Sequence, residues 1–232
     1  MNRLDGPLDG LLHLMDRQVV DDEGLMVCKC DDLELTDRGD GGLMVTALLI
    51  GVPVWLPRLH AWVYGGWRRL GDARIDRQQP YRIDLADVER VTQEIRLRRG
   101  RAGALVRQRP GDTSVRRLVG DLLGAQVLGP GEEHLGKVLD VRLEPTREPN
   151  DHALVLSGLL VGRGRPGSYL GYDRSEEHGP WMVGTIVRRL HRHSGMVAAG
   201  HISELDWDRH RVTVRTGLSP LTHSGASGDT RC

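Results

Sequence analysis

The sequence predicts an all-β protein with a minor α content, built as two tandem small β-barrels that each carry an amphipathic helical insert. Two observations predict this fold class. The chain of 232 residues repeats itself over about half of its length. Each repeat contains several short apolar segments separated by Gly-rich turns, which is typical of small β-barrels. The length also favours two domains over one.

The repeat is marked by the only two lysines of the chain, Lys29 and Lys137, which fall on each other when the halves are aligned. The offset between matched segments grows from 108 to 111 to 117 residues. Growth without loss of order indicates insertions in loops between matched strands. The matched segments are 16–35 with 124–143, 45–51 with 156–162, and 85–98 with 202–215.

Three strands are predicted near the start of the first half. The segment 18–20 is a short strand, and a polar turn ending in Gly24 follows it. The segment 25–35 alternates apolar and polar residues as a half-buried strand does. The longer apolar run 43–50 predicts a central strand that is covered on both faces. Closing strands are predicted around Ile83, Ile95 and Leu97.

The second half predicts the same order of elements. Each half also contains one predicted amphipathic helix with a basic C-terminal end, which complements the helix dipole. These helices follow Pro57 and Pro180, since proline favours the first turn of a helix. The strands of the second half are predicted at Val127, 135–143, 153–161, Ile202 and 212–214.

Four regions follow from these elements: a first domain at 8–98, an Arg-rich linker at 99–120, a second domain at 121–218 and a disordered tail at 219–232. The linker is either flexible or a strap that holds one barrel to the other. The tail is small and polar, which is typical of disordered termini.

The composition sets limits on location and chemistry. The formal net charge is zero, so the whole chain is not drawn to nucleic acid or membrane by charge. The charge is uneven, since residues 1–40 hold eleven acids against four bases. Cys28, Cys30 and Cys232 do not suggest a disulfide framework, and with no predicted signal peptide they favour the cytoplasm. The longest apolar stretch, 43–55, is too short to cross a bilayer.

Several of these segments resemble the PRC-barrel domain family. In the first half the resemblance lies in 16–35 and 45–51; in the second half it lies in 136–143 and 159–162. It implies two PRC-like β-barrels that serve as docking surfaces, as in the cytoplasmic part of the photosynthetic reaction-centre H subunit and in a ribosome maturation factor. The family has no assigned catalytic residues, so none is carried over. The first half departs from the family pattern at Cys28, where glycine is usual.

Four groups of residues could suggest an enzyme or a metal protein, and each has a simpler interpretation. Lys29 and Lys137 are interpreted as solvated strand residues. The histidines at 191, 193 and 201 lack a carboxylate or cysteine at ligand spacing, which favours surface histidines. The acidic residues of 21–23 and 31–32 are interpreted as an exposed loop rather than a cation site. The glycines of 162–167 lack the Gly-Lys-Ser/Thr ending of a phosphate loop.

The sequence therefore predicts a non-enzymatic adaptor that docks a partner protein, without cofactor or metal. An RNA- or ribosome-associated factor is the alternative, a peripheral regulator at the inner membrane face is a further one, and homodimerisation remains open. Aromatic residues dominate binding interfaces, and arginines contact phosphate. The candidate partner-binding residues are Trp55, Trp62, Trp67, Trp181 and Trp207. The candidate RNA contacts are Arg98, Arg99, Arg101, Arg107, Arg109, Arg116 and Arg117.

Overall fold

A computed structural model of the chain describes residues 7–38, 42–51, 80–108, 115–146, 153–163 and 194–219. These residues are mostly β-structure, as the sequence predicts. The two predicted amphipathic helices after Pro57 and Pro180 lie outside the described residues, as does the predicted tail beyond residue 219. No helix in the described ranges is long and apolar enough to cross a membrane.

Sixteen strands are present in the described ranges. Those of the first half are β1 (Leu8–Asp9), β2 (Gln18–Val20), β3 (Met26–Lys29), β4 (Asp32–Asp37), β5 (Leu43–Ile50), β6 (Tyr81–Asp84), β7 (Val88–Val91) and β8 (Ile95–Leu97). The remaining strands are β9 (Val106–Arg107), β10 (Val115–Arg117), β11 (Gln126–Leu128), β12 (His134–Pro145), β13 (Leu154–Gly162), β14 (Ser194–Ala198), β15 (Ile202–Asp206) and β16 (Arg211–Val214).

The helical elements are short. One α-helical turn, α1, spans Arg101–Ala104. Two π-helical turns span Gly10–Leu14 and Leu118–Leu122. The 3-10 turns span Leu85–Asp87, Pro130–Glu132 and Ala199–His201.

The strands form one large sheet and one small sheet. The large sheet has twelve strands, with the main order β10-β4-β5-β13-β12-β11-β16-β15, and the small sheet has the order β3-β2-β8-β7. The halves meet where β5 pairs antiparallel with β13, at Val45 opposite Leu154. Within the described residues the strand pairing closes neither half into a barrel, so the structure shows mixed sheets rather than two closed barrels.

The same pairing scheme occurs in both halves. Val19 in β2 pairs in parallel with Ile95 in β8, and Val127 in β11 pairs in parallel with Val212 in β16. A 3-10 turn leads into β7 in the first half and into β15 in the second half. Because parallel strands need a long crossover connection, the recurrence of this pairing gives each half the same chain path.

The predicted strand 25–35 is wrong as a single element, because it is divided into β3 and β4, which lie in different sheets. Its counterpart β12 runs on without interruption. In β12, Gly136 has a φ of 142°, and a Cβ there would lie 2.7 Å from the carbonyl oxygen of Gly162. Cys28 takes this place in the first half, since it faces Val19 as Gly136 faces Val127. A side chain prevents the same close approach of the next strand, and the ladder breaks.

Each half is completed by a segment attached to the other. β1 pairs with β12, with Leu8 opposite Leu143, and β10 pairs with β4, with Arg116 opposite Leu35. The π-helical turns that follow β1 and β10 cross over in the same way. The backbone N–H of Leu11 donates to Asp140 Oδ1 at 2.9 Å across 129 residues of sequence.

The equivalent hydrogen bond in the other half joins the backbone N–H of Val119 to Asp32 Oδ1 at 2.8 Å. Both carboxylates are buried. Each also accepts a hydrogen bond from the next residue of its own strand, Leu33 for Asp32 and Val141 for Asp140. Two buried aspartates therefore hold the halves together reciprocally.

The charges on these exchanged strands are reversed between the halves. Asp9 of β1 lies opposite Arg142 of β12, and Arg142 Nε donates to Asp9 Oδ1 at 2.6 Å. In the other half, Arg117 of β10 lies opposite Glu34 of β4. The two exchanges thus share a backbone pattern but carry opposite signs at each end.

The described parts of the 99–120 segment are built into the sheet rather than left as a free connection. β9 pairs with β6 and β10 pairs with β4. Gln108 Nε2 also donates to Glu34 Oε2 at 3.2 Å. Of the two alternatives for this segment, these contacts match the strap.

A single hydrophobic core runs through both halves. It includes Leu33 and Ile83 from the first half together with Leu122 and Val141 from the second, all with side chains fully or almost fully buried. Burial of one such side chain stabilises the fold by about 2 kcal/mol. The continuity of this core means that the halves are packed as one body.

Candidate functional site

The predicted tryptophan contacts are represented in the described residues by Trp207 alone. This side chain is half-buried and packs against the core. The guanidinium of Arg116 lies 5.4 Å from its ring centroid, a cation–π distance. Trp207 therefore anchors the 99–120 segment to the second half. The other four candidates, Trp55, Trp62, Trp67 and Trp181, lie outside the described residues.

The predicted RNA-contacting arginines are spread over several structural contacts. Arg99 forms an ion pair with Asp87. The guanidinium of Arg107 lies 4.4 Å from the ring centroid of Tyr81 and donates to its hydroxyl at 3.1 Å. The backbone N–H of Arg117 donates to Asp121 Oδ2 at 2.7 Å.

Arg98 and Arg101 are exposed, and Arg109 lies outside the described residues. The side chains of Arg99, Arg107 and Arg116 thus hold the 99–120 segment in place. The described part of this segment does not present one continuous row of unengaged cations.

Acidic side chains of the first half accept hydrogen bonds from backbone N–H groups. Asp21 is buried, and its Oδ1 accepts from the N–H groups of Glu23 and Leu25 at 3.1 and 2.8 Å. Asp31 Oδ2 accepts from the N–H of Gly51 at 2.7 Å. The interpretation as an exposed acidic loop is therefore wrong for Asp21 and Asp32, whose burial follows from the N–H groups that they satisfy.

The lysine and histidine candidates within the described residues lie on the surface. Lys29, Lys137 and His201 are exposed, while the histidines at 191 and 193 lie outside the described residues. Within the part of the chain that the structure describes, no three His, Cys, Asp or Glu side chains are grouped to hold a metal ion. Of the glycine-rich 162–167 segment, the structure describes the end of β13 and Arg163.

Burial raises the pKa values of Asp140 and Cys28. It raises the pKa of Asp140 to about 6, against the opposing effect of the Leu11 and Val141 N–H groups, and the nearby Asp9 adds to the rise. Burial also raises the pKa of the Cys28 thiol to about 11, with Asp31 adding to the rise and Arg101 opposing it. Neither shift prepares a nucleophile or a general acid near neutral pH on the surface.

A basic depression lies at the end of the second half. It consists of two open cavities of about 490 and 420 Å³, which share Gln126 and Lys137. Arg209, His210 and Arg211 line the first cavity. His134, Gly136, Gly162 and Arg163 line the second. The described lining residues include no carboxylate, and their rings are the imidazoles of His134 and His210.

The corresponding position of the first half has the opposite character. Asp16 takes the place of Gly124, and both residues have a positive φ. Glu94 takes the place of Arg211, because each directly precedes the residue, Ile95 or Val212, that pairs with the equivalent valine. The equivalent lysine remains, but acidic side chains accompany it in the sequence.

The edge of the first half is apolar at the same place. Met26 lies opposite Val20, as His134 lies opposite Leu128. Met26 is 56% exposed, and the preceding Leu25 is 61% exposed. Among the described residues β3 pairs with β2 alone, so its other edge is unpaired there. The two halves thus share one frame and differ in the surface that this position presents.

Sequence reasoning did not identify either of these surfaces. The difference was present in the alignment of the halves, where Leu25 and Met26 fall on Glu133 and His134. The residues that the halves share include Lys29 and Lys137, and they do not indicate either surface. The contrast between the halves, rather than the shared residues, locates the candidate sites.

No protein-family model and no curated protein sequence matches the chain. The PRC-barrel resemblance therefore remains a prediction from the residues quoted above.

Proposed function

We propose that the chain is a non-enzymatic adaptor that docks an extended segment of a partner protein against the edge of β3. The observation that carries this proposal is the edge of β3, which has no partner strand among the described residues, beside two exposed apolar side chains, Leu25 and Met26. An unpaired edge strand offers N–H and C=O groups to an added strand. Apolar side chains next to that edge give the added strand a surface to bury.

The partner segment that fits this edge is extended and carries apolar side chains. Met26 begins β3 and Leu25 directly precedes it, and both side chains are exposed. An added strand with apolar residues at alternate positions would present them on one face of the sheet, where they can cover Met26. Desolvation of such side chains at an interface contributes about 2 kcal/mol where they form the centre of the contact.

The recurring strand pairing supports a duplication, and we propose that each half is a PRC-barrel-like domain. The parallel pairs β2–β8 and β11–β16 occur at equivalent positions, and the crossed π-helical turns are equivalent as well. The PRC-barrel resemblance implies a docking role, which agrees with the exposed edge. Cys28 and Cys30 are free thiols, which supports placing this role in the cytoplasm.

Site-specific photo-crosslinking tests the proposal. A photo-crosslinking amino acid is placed at Leu25 in one variant and at the equivalent Glu133 in a matched control. We expect a defined protein adduct from position 25 and none from position 133. Purification of that partner then allows direct measurement of its affinity.

With the purified partner, Leu25→Asp combined with Met26→Asp is expected to weaken binding by about thirtyfold, the equivalent of about 2 kcal/mol. Val106→Asp is the control, because Val106 is similarly exposed, at 57%, on a different strand. Unchanged thermal unfolding verifies that both variants fold. Equal affinity of the two variants would refute docking at β3.

The membrane-associated alternative depends on Trp55, Trp62 and Trp67, which lie outside the described residues. The RNA alternative has support from the second half of the structure, but at a surface other than the arginines of the 99–120 segment.

A further inference from the structure

The basic depression of the second half concentrates positive charge without compensation in its lining. Lys137, Arg163, Arg209 and Arg211 each bring a full positive charge to the two adjoining cavities. Among the described residues, Asp206 borders this set, since its Oδ2 lies 3.5 Å from Arg209 NH1 and it is the cross-strand neighbour of Arg211. The Arg209 side chain is 74% exposed, so this ion pair is solvent-screened and weak.

Two lining residues also hold polar atoms that lack partners. Arg211 Nε and His210 Nε2 are buried and have no hydrogen-bond partner among the described residues. A buried donor without an acceptor destabilises a fold by about 1–3 kcal/mol, so a side-chain rearrangement that brings it to an anion is favourable. His210 has a φ of 52°, in the left-handed region, and its carbonyl oxygen accepts from the N–H of Gln126 at 3.0 Å. The strained turn is therefore tied to β11 at the floor of the depression.

The first half serves as an internal reference for this charge. Position by position it replaces Gly124 with Asp16 and Arg211 with Glu94, while it keeps Lys29 where the second half has Lys137. The frame of the domain therefore does not require an arginine at position 211, although both halves keep the lysine. The presence of this arginine in the second half alone points to a ligand of that half.

The shape of the depression indicates the kind of anion. Two open cavities lie side by side and share Lys137, so positive charge follows a path rather than surrounding one point. The described lining residues include no Phe, Tyr or Trp on which successive bases could stack, and their rings are the imidazoles of His134 and His210. We propose that the depression binds the phosphate backbone of a single-stranded nucleic acid, without base recognition, with successive phosphates at Arg209–Arg211 and at Lys137–Arg163.

This proposal is independent of docking at β3, because the two surfaces are in different halves. Its failure would leave the adaptor proposal intact, and the reverse also holds. It also moves the predicted nucleic-acid contact away from the 99–120 segment, where Arg99, Arg107 and Arg116 have structural partners.

The test is fluorescence anisotropy of the full chain with a labelled, mixed-sequence single-stranded RNA of about 12 nucleotides, a length that covers one such site. Each backbone cation contributes about 0.7 to the slope of log affinity against log salt. We expect a slope of about −3 for four contacts, and the same affinity for a DNA strand of the same sequence. A flat salt dependence would refute the proposal.

Matched lysine variants locate the site. Lys137→Gln is expected to weaken binding about fivefold at 0.1 M salt, because the loss of one contact removes about 0.7 from the slope over the tenfold step in salt from 1 M to 0.1 M. Lys29→Gln, the equivalent change in the first half, is expected to leave the affinity unchanged. Arg209→Gln provides a second test, because Arg209 is exposed and its replacement leaves the fold intact. Equal effects of Lys137→Gln and Lys29→Gln would overturn the assignment.

A competition experiment distinguishes a strand from a single phosphate group. Inorganic phosphate is expected to displace the RNA no better than chloride at the same ionic strength, because several phosphates are bound together on one strand. Displacement by phosphate well beyond that of chloride would show a site for one phosphate group, and would refute binding of a nucleic-acid backbone.

Discussion

Replacement of Asp140 by asparagine is expected to remove a pH dependence from the stability of the protein. Asp140 is buried on β12 and accepts the N–H groups of Leu11 and Val141 through one carboxylate oxygen. Asparagine keeps that acceptor but does not titrate. Burial raises the pKa of Asp140 from 3.8 to about 6, so the folded chain holds the proton more tightly than the unfolded chain does.

The stabilisation from this proton is complete below about pH 4, the ordinary pKa of the side chain, and it is lost as the pH rises through about 6. A shift of this size corresponds to about 3 kcal/mol, because one pKa unit is 1.36 kcal/mol. Relative to Asp140→Asn, the wild-type chain should therefore lose about 2 kcal/mol of unfolding free energy between pH 4 and 7, which is most of that amount because the unfolded side chain is already partly ionised at pH 4.

The assay is urea unfolding at a series of pH values, followed by circular dichroism, for the wild type and Asp140→Asn. Asp22→Asn is the control, because Asp22 is exposed and should leave the pH profile parallel to the wild type. A difference between wild type and Asp140→Asn that is independent of pH would refute the reasoning. A difference of the opposite sign, with the wild type gaining stability as the pH rises, would show that hydrogen bonding outweighs burial.

Three further predictions concern backbone strain, thiol reactivity and charge pairing. Gly136→Ala should destabilise the fold by about 3 kcal/mol in thermal or urea unfolding, because the added Cβ would lie 2.7 Å from a backbone oxygen. Gly131 also has a positive φ but lies in open space, so Gly131→Ala should cost only about 1 kcal/mol. Equal losses in the two variants would contradict the close-approach argument. At pH 8 the thiolate fraction of Cys28 in the folded chain should be about a hundredth of that in urea, because burial raises its pKa from 9.0 to about 11. Alkylation of the folded chain, measured by mass spectrometry, should be slower by the same factor. Similar alkylation rates in the two states would show that the thiol is not desolvated. A double-mutant cycle of Asp9→Arg and Arg142→Asp should give a coupling free energy of about 0.5 kcal/mol, since both side chains are partly exposed. The double variant, which swaps the two charges, should recover stability that each single variant loses. Additive losses would show that the ion pair contributes nothing to stability.

Strands that form an apolar run between turn residues, such as β5, could be predicted from the sequence, whereas β9, β10 and β14 were not predicted. The run 43–50 matches β5 at both ends, and its interior position between β4 and β13 follows from its apolar character. Three-dimensional closeness was harder to predict. Nothing in the apolar pattern shows that Leu11 reaches Asp140, because that hydrogen bond depends on a crossing between halves 129 residues apart.

The candidate sites were less accessible to sequence reasoning than the fold. Residue type alone indicates the tryptophan and arginine candidates, but in the structure the side chains of Trp207 and Arg116 contact each other. The alternation over 25–35 predicts one strand, and one continuous strand does not predict the edge of β3. Its division depends on a steric detail, a side chain at Cys28 where the second half has Gly136, and no periodicity records a contact of that kind.

The exchange of β1 and β10 between the halves fixes an order of events during synthesis. When residues up to about 122 have left the ribosome, β10 can pair with β4, and Asp32 can receive the N–H of Val119. The N-terminal segment from Leu8 to Leu14 has no such partner yet, since its place on β12 is made more than a hundred residues later. Residues 8–14 are thus made long before their partner strand, and their leucines stay open to chaperones, proteases and neighbouring nascent chains throughout that interval.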